Sequence, residues 1–457
     1  MNNNINSTDK NQQKLSYMLT FVACMGMFLS TLDTGIMNVA LPFLTQYFST
    51  NENVAAMSVV GYTVSLAAVI MPLGSLSDQI GKLKISFFGF LLFGISSLLC
   101  GLAVNIQSLI IFRIFQGIGA AALQATSSAL ITSYVKKEQL NKALGTLGVA
   151  IGLGPVLGPS IGGLFLFLGA WRWIFWLNIP LVFITLFANI FLLKKIKIPA
   201  TKIKHFDYKG VGLCLAAITF LLSGLNLVAK SGQMFIGITF MISALIVLVI
   251  LIRVEKKQKD PLFHLQEYRK SKITLDLIET ALFGFATSII FLLPPFLLEQ
   301  LLHVSSGKTG LYVLGAPIGL VLFSKISGNL NNGTKHHQFV RIGLITMSLS
   351  FLVLALTSQL WTPFLITFLL FLYGIGAGFF QPANIAIIMQ SSSQKLQSEI
   401  GSLQRMVQNV GIATSTTIGS IILTLNFSLR TNLTIGWGLT ASLLLLISLI
   451  NMFQKNK

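Results

Sequence analysis

The sequence predicts an all-α polytopic membrane protein of fourteen transmembrane helices, divided into two six-helix bundles with an inserted two-helix hairpin. Three observations carry that prediction. Of the 457 residues, 54% are hydrophobic and 10% charged, at a mean hydropathy of +0.79; a soluble domain carries about 25% charged residues. Apolar runs of the length a helix needs to cross a bilayer, about 20 residues, follow one another almost end to end. The Lys and Arg residues between those runs fall mainly on alternate loops, the bias that orients helical membrane proteins. This balance excludes a disordered chain, a coiled coil and a nucleic-acid binder, despite a net charge of +19.

Taken in order, the runs cover 17–41, 54–76, 84–103, 107–133, 140–168, 172–193, 209–229, 233–252, 272–298, 306–328, 339–358, 362–390, 399–428 and 434–453. They are continuous, whereas the strands of a membrane barrel alternate in polarity over about ten residues. Residues 1–16 are polar and precede no small-residue cleavage site, so they read as a cytoplasmic tail and not a signal peptide. With that tail inside, 26 of the 32 Lys and Arg lie on the inner side. Four lie outside (Arg172, Lys230, Lys308, Arg430) and two, Arg113 and Arg405, fall within spans. The positive charge is thus a topology signal, and both termini are expected in the cytoplasm of a bacterial cell, across its inner membrane.

The most basic inner loops, within 194–271, flank a plain hairpin at 209–252. Setting it aside leaves six-span bundles at 17–193 and 272–453 and a short tail at 454–457. Many secondary transporters are built as six plus six, each half a pair of inverted three-helix repeats. A weak internal echo agrees: Gly74-Ser-Leu-Ser-Asp78-Gln-Ile-Gly81 follows the second span, and Gly328-Asn-Leu-Asn-Asn332-Gly333 follows its counterpart in the later half. No loop is long enough for a nucleotide-binding domain. Ser306-Gly-Lys-Thr309 imitates the end of a phosphate loop, but Leu302 stands where the first glycine belongs. Cys24, Cys100 and Cys214 lie far apart in apolar runs, and the five histidines read as loop residues. No cofactor or metal site is expected.

Five segments, in order, then carry a family resemblance. They are Leu32-Asp-Thr-Gly-Ile-Met-Asn-Val-Ala-Leu-Pro42, the loop Gly74 to Lys84, Leu109-Ile-Ile-Phe-Arg113-Ile-Phe-Gln-Gly-Ile-Gly-Ala-Ala121, Gly152-Leu-Gly-Pro-Val-Leu-Gly-Pro-Ser-Ile-Gly-Gly163 and Trp171-Arg-Trp-Ile-Phe-Trp-Leu-Asn-Ile-Pro180. The chain resembles the major facilitator superfamily and, within it, the fourteen-span drug:proton antiporters of bacteria. Gly35 replaces the hydroxyl residue usual in the first motif. The resemblance implies a monomeric exporter working by alternating access, with protons and small-molecule drugs as its partners in the lipid bilayer. It implies no nucleotide, no nucleic acid and no enzymatic activity. The expected cargo is lipophilic and cationic or zwitterionic; the alternatives are a narrow exporter of one metabolite or tetracycline-like drug and, less favoured, a lipid flippase or an ion channel.

Each motif has a physical reading beside that one. Asp33 lies deep in an apolar run, where a carboxylate must be protonated, paired or exchanged between the two states; the alternative is a packing or capping aspartate. Arg113 lies about 12 Å into its span at 1.5 Å per residue, a depth that matches Asp33. The resemblance marks this arginine as a proton-relay element, and a static buried salt bridge is the alternative. Asp276 and Glu279, spaced to share a helix face, should lie about 8–12 Å in from the inner boundary. Arg405 reaches a similar depth, and two acids facing it would leave one negative charge over; the alternative is that both acids reach the interface. Gly74, Asp78, Gly81, Lys82 and Lys84 read as a cytoplasmic gate, carboxylate and cations serving helix dipoles, or as topology alone. Gly152, Gly154, Gly158, Gly162 and Gly163 with Pro155 and Pro159 read as a hinge or seal between the halves, or as ordinary close packing.

Overall fold

A computed structural model describes residues 2–196, 207–228, 232–258, 261–270, 273–331, 333–391 and 393–454. Among these the regular elements are all helical. The earlier helices are α1 (Asn2–Tyr47), α2 (Glu52–Ile80), α3 (Lys82–Gly101), α4 (Ile106–Tyr134), α5 (Lys137–Phe167), α6 (Trp173–Trp176) and α7 (Asn178–Lys195). Then come α8 (Tyr208–Val228), α9 (Met234–Glu255), α10 (Leu265–Lys270), α11 (Thr274–Phe296), α12 (Ser306–Tyr312) and α13 (Gly315–Leu330). The last four are α14 (His336–Leu356), α15 (Pro363–Gln390), α16 (Gln397–Leu423) and α17 (Leu429–Gln454). Fourteen stretches are long and apolar enough to cross a membrane, from Gln13–Met37 to Leu429–Met452. They answer the fourteen predicted spans one for one.

Polar side chains start several of these helices. Asn51 accepts from the Val54 N–H at 2.9 Å, and Asn105 and Ser108 form a reciprocal capping box at the head of α4. Thr362 accepts from the Leu365 N–H, with Pro363 at the first helical position, where the missing N–H costs nothing. Gly81 turns the chain between α2 and α3 at φ 118°, a conformation that favours glycine. His336 and His337 correct the loop reading: both lie in the first turn of α14, and His336 is buried, with Nδ1 2.8 Å from Asn331 Nδ2. Residues 197–206 of the first basic loop, His205 among them, lie outside the described residues, as do Asn332 and residues 455–457.

The chain divides into two compact units, Met1–Asp207 with Ser392–Leu403, and Tyr208–Ser391 with Gln404–Lys457. The hairpin α8–α9 thus groups with unit 2, where Thr417 of α16 donates to the Leu225 carbonyl at 3.2 Å. In unit 1, α1 and α5 pack backbone to backbone. A Cβ on Gly158 would stand 2.7 Å from the Gly35 backbone, and one on Gly154 would stand 2.0 Å from Thr31 Oγ1. That contact needs glycine on α5 and favours it at Gly35, where a Cβ would stand a tight 3.1 Å from the Gly154 carbonyl oxygen. The core beside it is built on Leu32, Ile36, Trp171 and Phe175. In unit 2 the core runs through Phe283, Phe351, Phe380 and the edge-on pair Trp361–Trp437.

Candidate functional site

Unit 1 holds a buried ion pair. Asp33 of α1 is 1% exposed and Arg113 of α4 is 0% exposed. Arg113 Nη1 donates to Asp33 Oδ2 and, at 2.7 Å, to Gln116 Oε1. Its Nε donates to the Ser58 carbonyl at 3.2 Å, and its Cζ stands 4.2 Å from the centre of the Tyr62 ring. Gln116 Nε2 closes the cluster, donating to Asp33 Oδ1 at 2.8 Å and to Ser97 Oγ at 2.9 Å. A second layer lies on the same helices: Tyr62 donates to the Ser30 carbonyl at 3.1 Å, and Gln124 Nε2 to Ser30 Oγ at 2.8 Å. An isolated charge at this depth would be expensive, and pairing with further hydrogen bonds lowers that cost. The matched depths read from the sequence meet here in one contact.

Unit 2 departs from expectation. Helix α11 begins only at Thr274, so Asp276 sits in its first turn, partly exposed, instead of deep in the span. Glu279, one turn on, is buried, and its Oε1 accepts from Asn451 Nδ2 of α17. Asn451 Oδ1 in turn accepts from Arg341 Nε of α14 at 3.1 Å. Arg405 takes no part in this network. Its Nη1 donates to Gln408 Oε1 at 2.9 Å, and among the described residues it forms no ion pair. The expected cluster of two acids around Arg405, with one negative charge over, is therefore not formed. Helical rise gives depth but not direction around the helix axis, and Glu279 is aimed at α17. α11 and α16 approach closely at Gly284, where a Cβ would reach 2.4 Å from the Gln408 carbonyl oxygen, and Ser415 of α16 donates to the Phe285 carbonyl at 2.7 Å.

The stretch Gly74 to Lys84, expected as a loop, is helical on both sides of Gly81, and the last turns of α2 are bound to the start of α16. Asp78 Oδ1 accepts from the Ser398 N–H at 3.1 Å and Oδ2 from the Glu399 N–H at 2.9 Å. Lys82 pairs with the same carboxylate at 2.7 Å. An anion at a helix N-terminus meets unsatisfied N–H groups and the positive end of the dipole. Gly74 lets the two helices close up, since its Cβ would fall 2.0 Å from Ser402 Oγ. Lys84 is exposed and forms no ion pair among the described residues. Along α5, which is helical through Pro155 and Pro159, Gly154, Gly158 and Gly162 meet α1. Gly152 is buried, and Gly163 faces open space.

A family model described as Major Facilitator Superfamily matches residues 23–416. The chain belongs to the Major Facilitator Superfamily. It is 30% identical over 404 residues to the riboflavin transporter RibZ of Clostridioides difficile strain 630, covering 88% of this chain and 87% of that protein. It is 25% identical over 412 residues to the putative multidrug resistance protein MdtD of Escherichia fergusonii, covering 88% and 85%. Among solved structures it is similar to the human organic anion transporter MFSD10 (TETRAN), at a TM-score of 0.71 and 13% identity, with 95% and 99% of the two chains covered. The proton:xylose symporter XylE, bound to 6-bromo-6-deoxy-D-glucose, follows at 0.66 and 14%, covering 97% and 96%. At such identities these two likenesses bear on the fold alone. The protein is a multi-pass membrane transporter of this superfamily.

Several residues that shape the superfamily member's polar interior were not read from the sequence. Gln116 lies three residues from Arg113, a spacing that puts both on one helix face, yet it passed as part of a motif. Asn451 stands near the end of the last span and was not singled out. Asn384 of α15 accepts from Thr280 Oγ1 at 2.8 Å and donates to the Asp276 carbonyl at 3.2 Å. The signal available for all three was an amide inside an apolar run.

Proposed function

We propose that the protein exports lipophilic drug-like molecules, zwitterionic compounds foremost, in exchange for protons entering the cell. It works as a monomer in the bacterial inner membrane, without a cofactor, and its partners are the cargo, protons and the bilayer. The buried Asp33–Arg113–Gln116 cluster is the observation that carries this reading. Asp33 is a carboxylate that a proton can neutralise, and Arg113 has other holds when that happens: Gln116, the Ser58 carbonyl and the face of Tyr62. Protonation therefore exchanges one charge state of the cluster for another without stranding the arginine. The 26-to-four split of basic residues supports cytoplasmic termini and puts the Asp78 contact at the inner face, where it serves as a gate that opens and closes with the cycle. The glycine-rich face of α5 serves as the hinge.

Similarity to the multidrug resistance protein MdtD supports a drug cargo. A second reading, carriage of one polar metabolite, is favoured by Arg405, which pairs with no carboxylate among the described residues, and by similarity to a riboflavin transporter. Norfloxacin efflux from energised vesicles, driven by an imposed pH gradient, tests the proposal. The wild type should extrude the drug and release protons in return, and an inserted Asp33→Asn protein should do neither. Gradient-driven efflux by that variant would move the proton site to Glu279.

A further inference from the structure

We infer that unit 2 carries a polar anchor, built on Arg405, for a cargo edge that combines a carboxylate or carbonyl acceptor with a neighbouring N–H or O–H donor. The inference names the cargo chemistry of the transport reading above and rests on it. Arg405 is 5% exposed; Nη1 is engaged by Gln408, and Nη2 has no hydrogen-bond partner among the described residues. Gln404, also buried, donates from Nε2 to Asn384 Oδ1 at 3.3 Å, while its own Oε1 is unmet. On α15, Gln381 stands one turn from Asn384, buried, with Oε1 unmet as well.

Gln404 and Gln408 are four residues apart and share a face of α16, and Gln408 holds Arg405 at three. The fold thus gathers one free guanidinium donor and two free amide acceptors on adjoining helices. Buried polar groups are normally satisfied by protein or water. Water meets the amides adequately, but a full positive charge without a counter-ion selects an anion or a strong carbonyl acceptor. A donor on the same occupant beside that acceptor would take the place of such a water at a glutamine oxygen. Imides, lactams, carboxamides and zwitterions with a carboxylate meet both demands. A quaternary cation meets neither and adds a like charge.

Binding to the full-length protein in nanodiscs, at equal pH on both sides and with no gradient, tests this separately from transport. The probes are riboflavin (an imide edge), norfloxacin (a keto-carboxylate) and tetraphenylphosphonium (a cation without hydrogen-bonding groups). The wild type should bind the first two. Arg405→Gln should weaken both about tenfold or more, while tetraphenylphosphonium binding holds or improves. Gln404→Leu, which leaves Arg405 in place, should weaken riboflavin severalfold and is the variant to use if Arg405→Gln fails to fold. The binding readout uses no pH gradient, so a failure of proton coupling does not touch this result. The anchor is overturned if the wild type binds neither riboflavin nor norfloxacin, if Arg405→Gln and Gln404→Leu bind both as the wild type does, or if all three probes weaken together.

Discussion

Arg113 in unit 1 and Arg405 in unit 2 share a local design. Each is buried in a spanning helix, and each donates from Nη1 to a glutamine three residues on, Gln116 at 2.7 Å and Gln408 at 2.9 Å. They differ in what stands opposite. Arg113 faces Asp33, a backbone carbonyl and an aromatic ring, whereas Arg405 faces no carboxylate among the described residues. A neutralised pair responds to the arrival of a proton. An unneutralised cation responds to the arrival of an anion or a carbonyl. On the transport reading proposed above, the same side chain, held by the same neighbour, is suited to different ligands by one aspartate.

The largest effect should come from removing that aspartate. Asp33→Asn keeps the shape of the side chain and should lower gradient-driven efflux about tenfold or more, a barrier change of about 1.4 kcal/mol at least. Asp33→Glu should retain part of the rate at a shifted pH optimum; vesicle efflux across a pH series reads both. If efflux were unaltered in Asp33→Asn, the two arginines would no longer be distinguished by function.

Stability separates them next. Arg113→Gln strands a buried carboxylate, a loss of up to about 3–5 kcal/mol for a broken buried pair, while Arg405→Gln removes a charge that has no carboxylate partner among the described residues. Thermal melts of the purified variants should show a marked fall for the first and no fall for the second. Equal falls would break the comparison.

The packing beneath Asp33 gives a smaller effect. Gly158→Ala would press a Cβ to 2.7 Å from the Gly35 backbone and should cost about 1–3 kcal/mol, as overpacking does. Gly163→Ala meets nothing within 4 Å and should stay within about 0.5 kcal/mol of the wild type. The same melts decide it. Smallest is Asp78→Asn, which weakens the charge–dipole contact at the start of α16 by about 0.3–1 kcal/mol. Hydrogen exchange at the Ser398 and Glu399 amides should quicken, and unchanged protection there would show that the carboxylate's charge is unimportant.

What could be read in advance follows from what each kind of signal measures. Run length and charge bias report how far a helix extends and which way it points, so all fourteen spans were legible, down to the plain hairpin. Depth along a helix is also linear in sequence, and it placed Asp33 level with Arg113. Direction around the axis is not. Asp276 and Glu279 were placed on one face correctly, but that face turned out to serve Asn451 and the α11 terminus, away from Arg405. Gly35 was read as a departure from a motif, when it was half of a contact whose other half lies more than a hundred residues on, at Gly154 and Gly158. Pairings of that kind leave no periodic trace in a single chain.

Helix α16 carries a last consequence, for how the protein is made. It is the least apolar of the fourteen spans, and an arginine at the centre of a nascent segment opposes its insertion by about 2.5–3.5 kcal/mol. Left to partition alone, α16 would be a reluctant entrant. The groups that receive its polar and glycine faces, Asn384 on α15 and the Ala281–Gly284 backbone on α11, belong to segments synthesised before it. Order of synthesis thus supplies α16 with a docking surface at the time it enters the lipid, and a truncated chain lacking α11 should leave it outside.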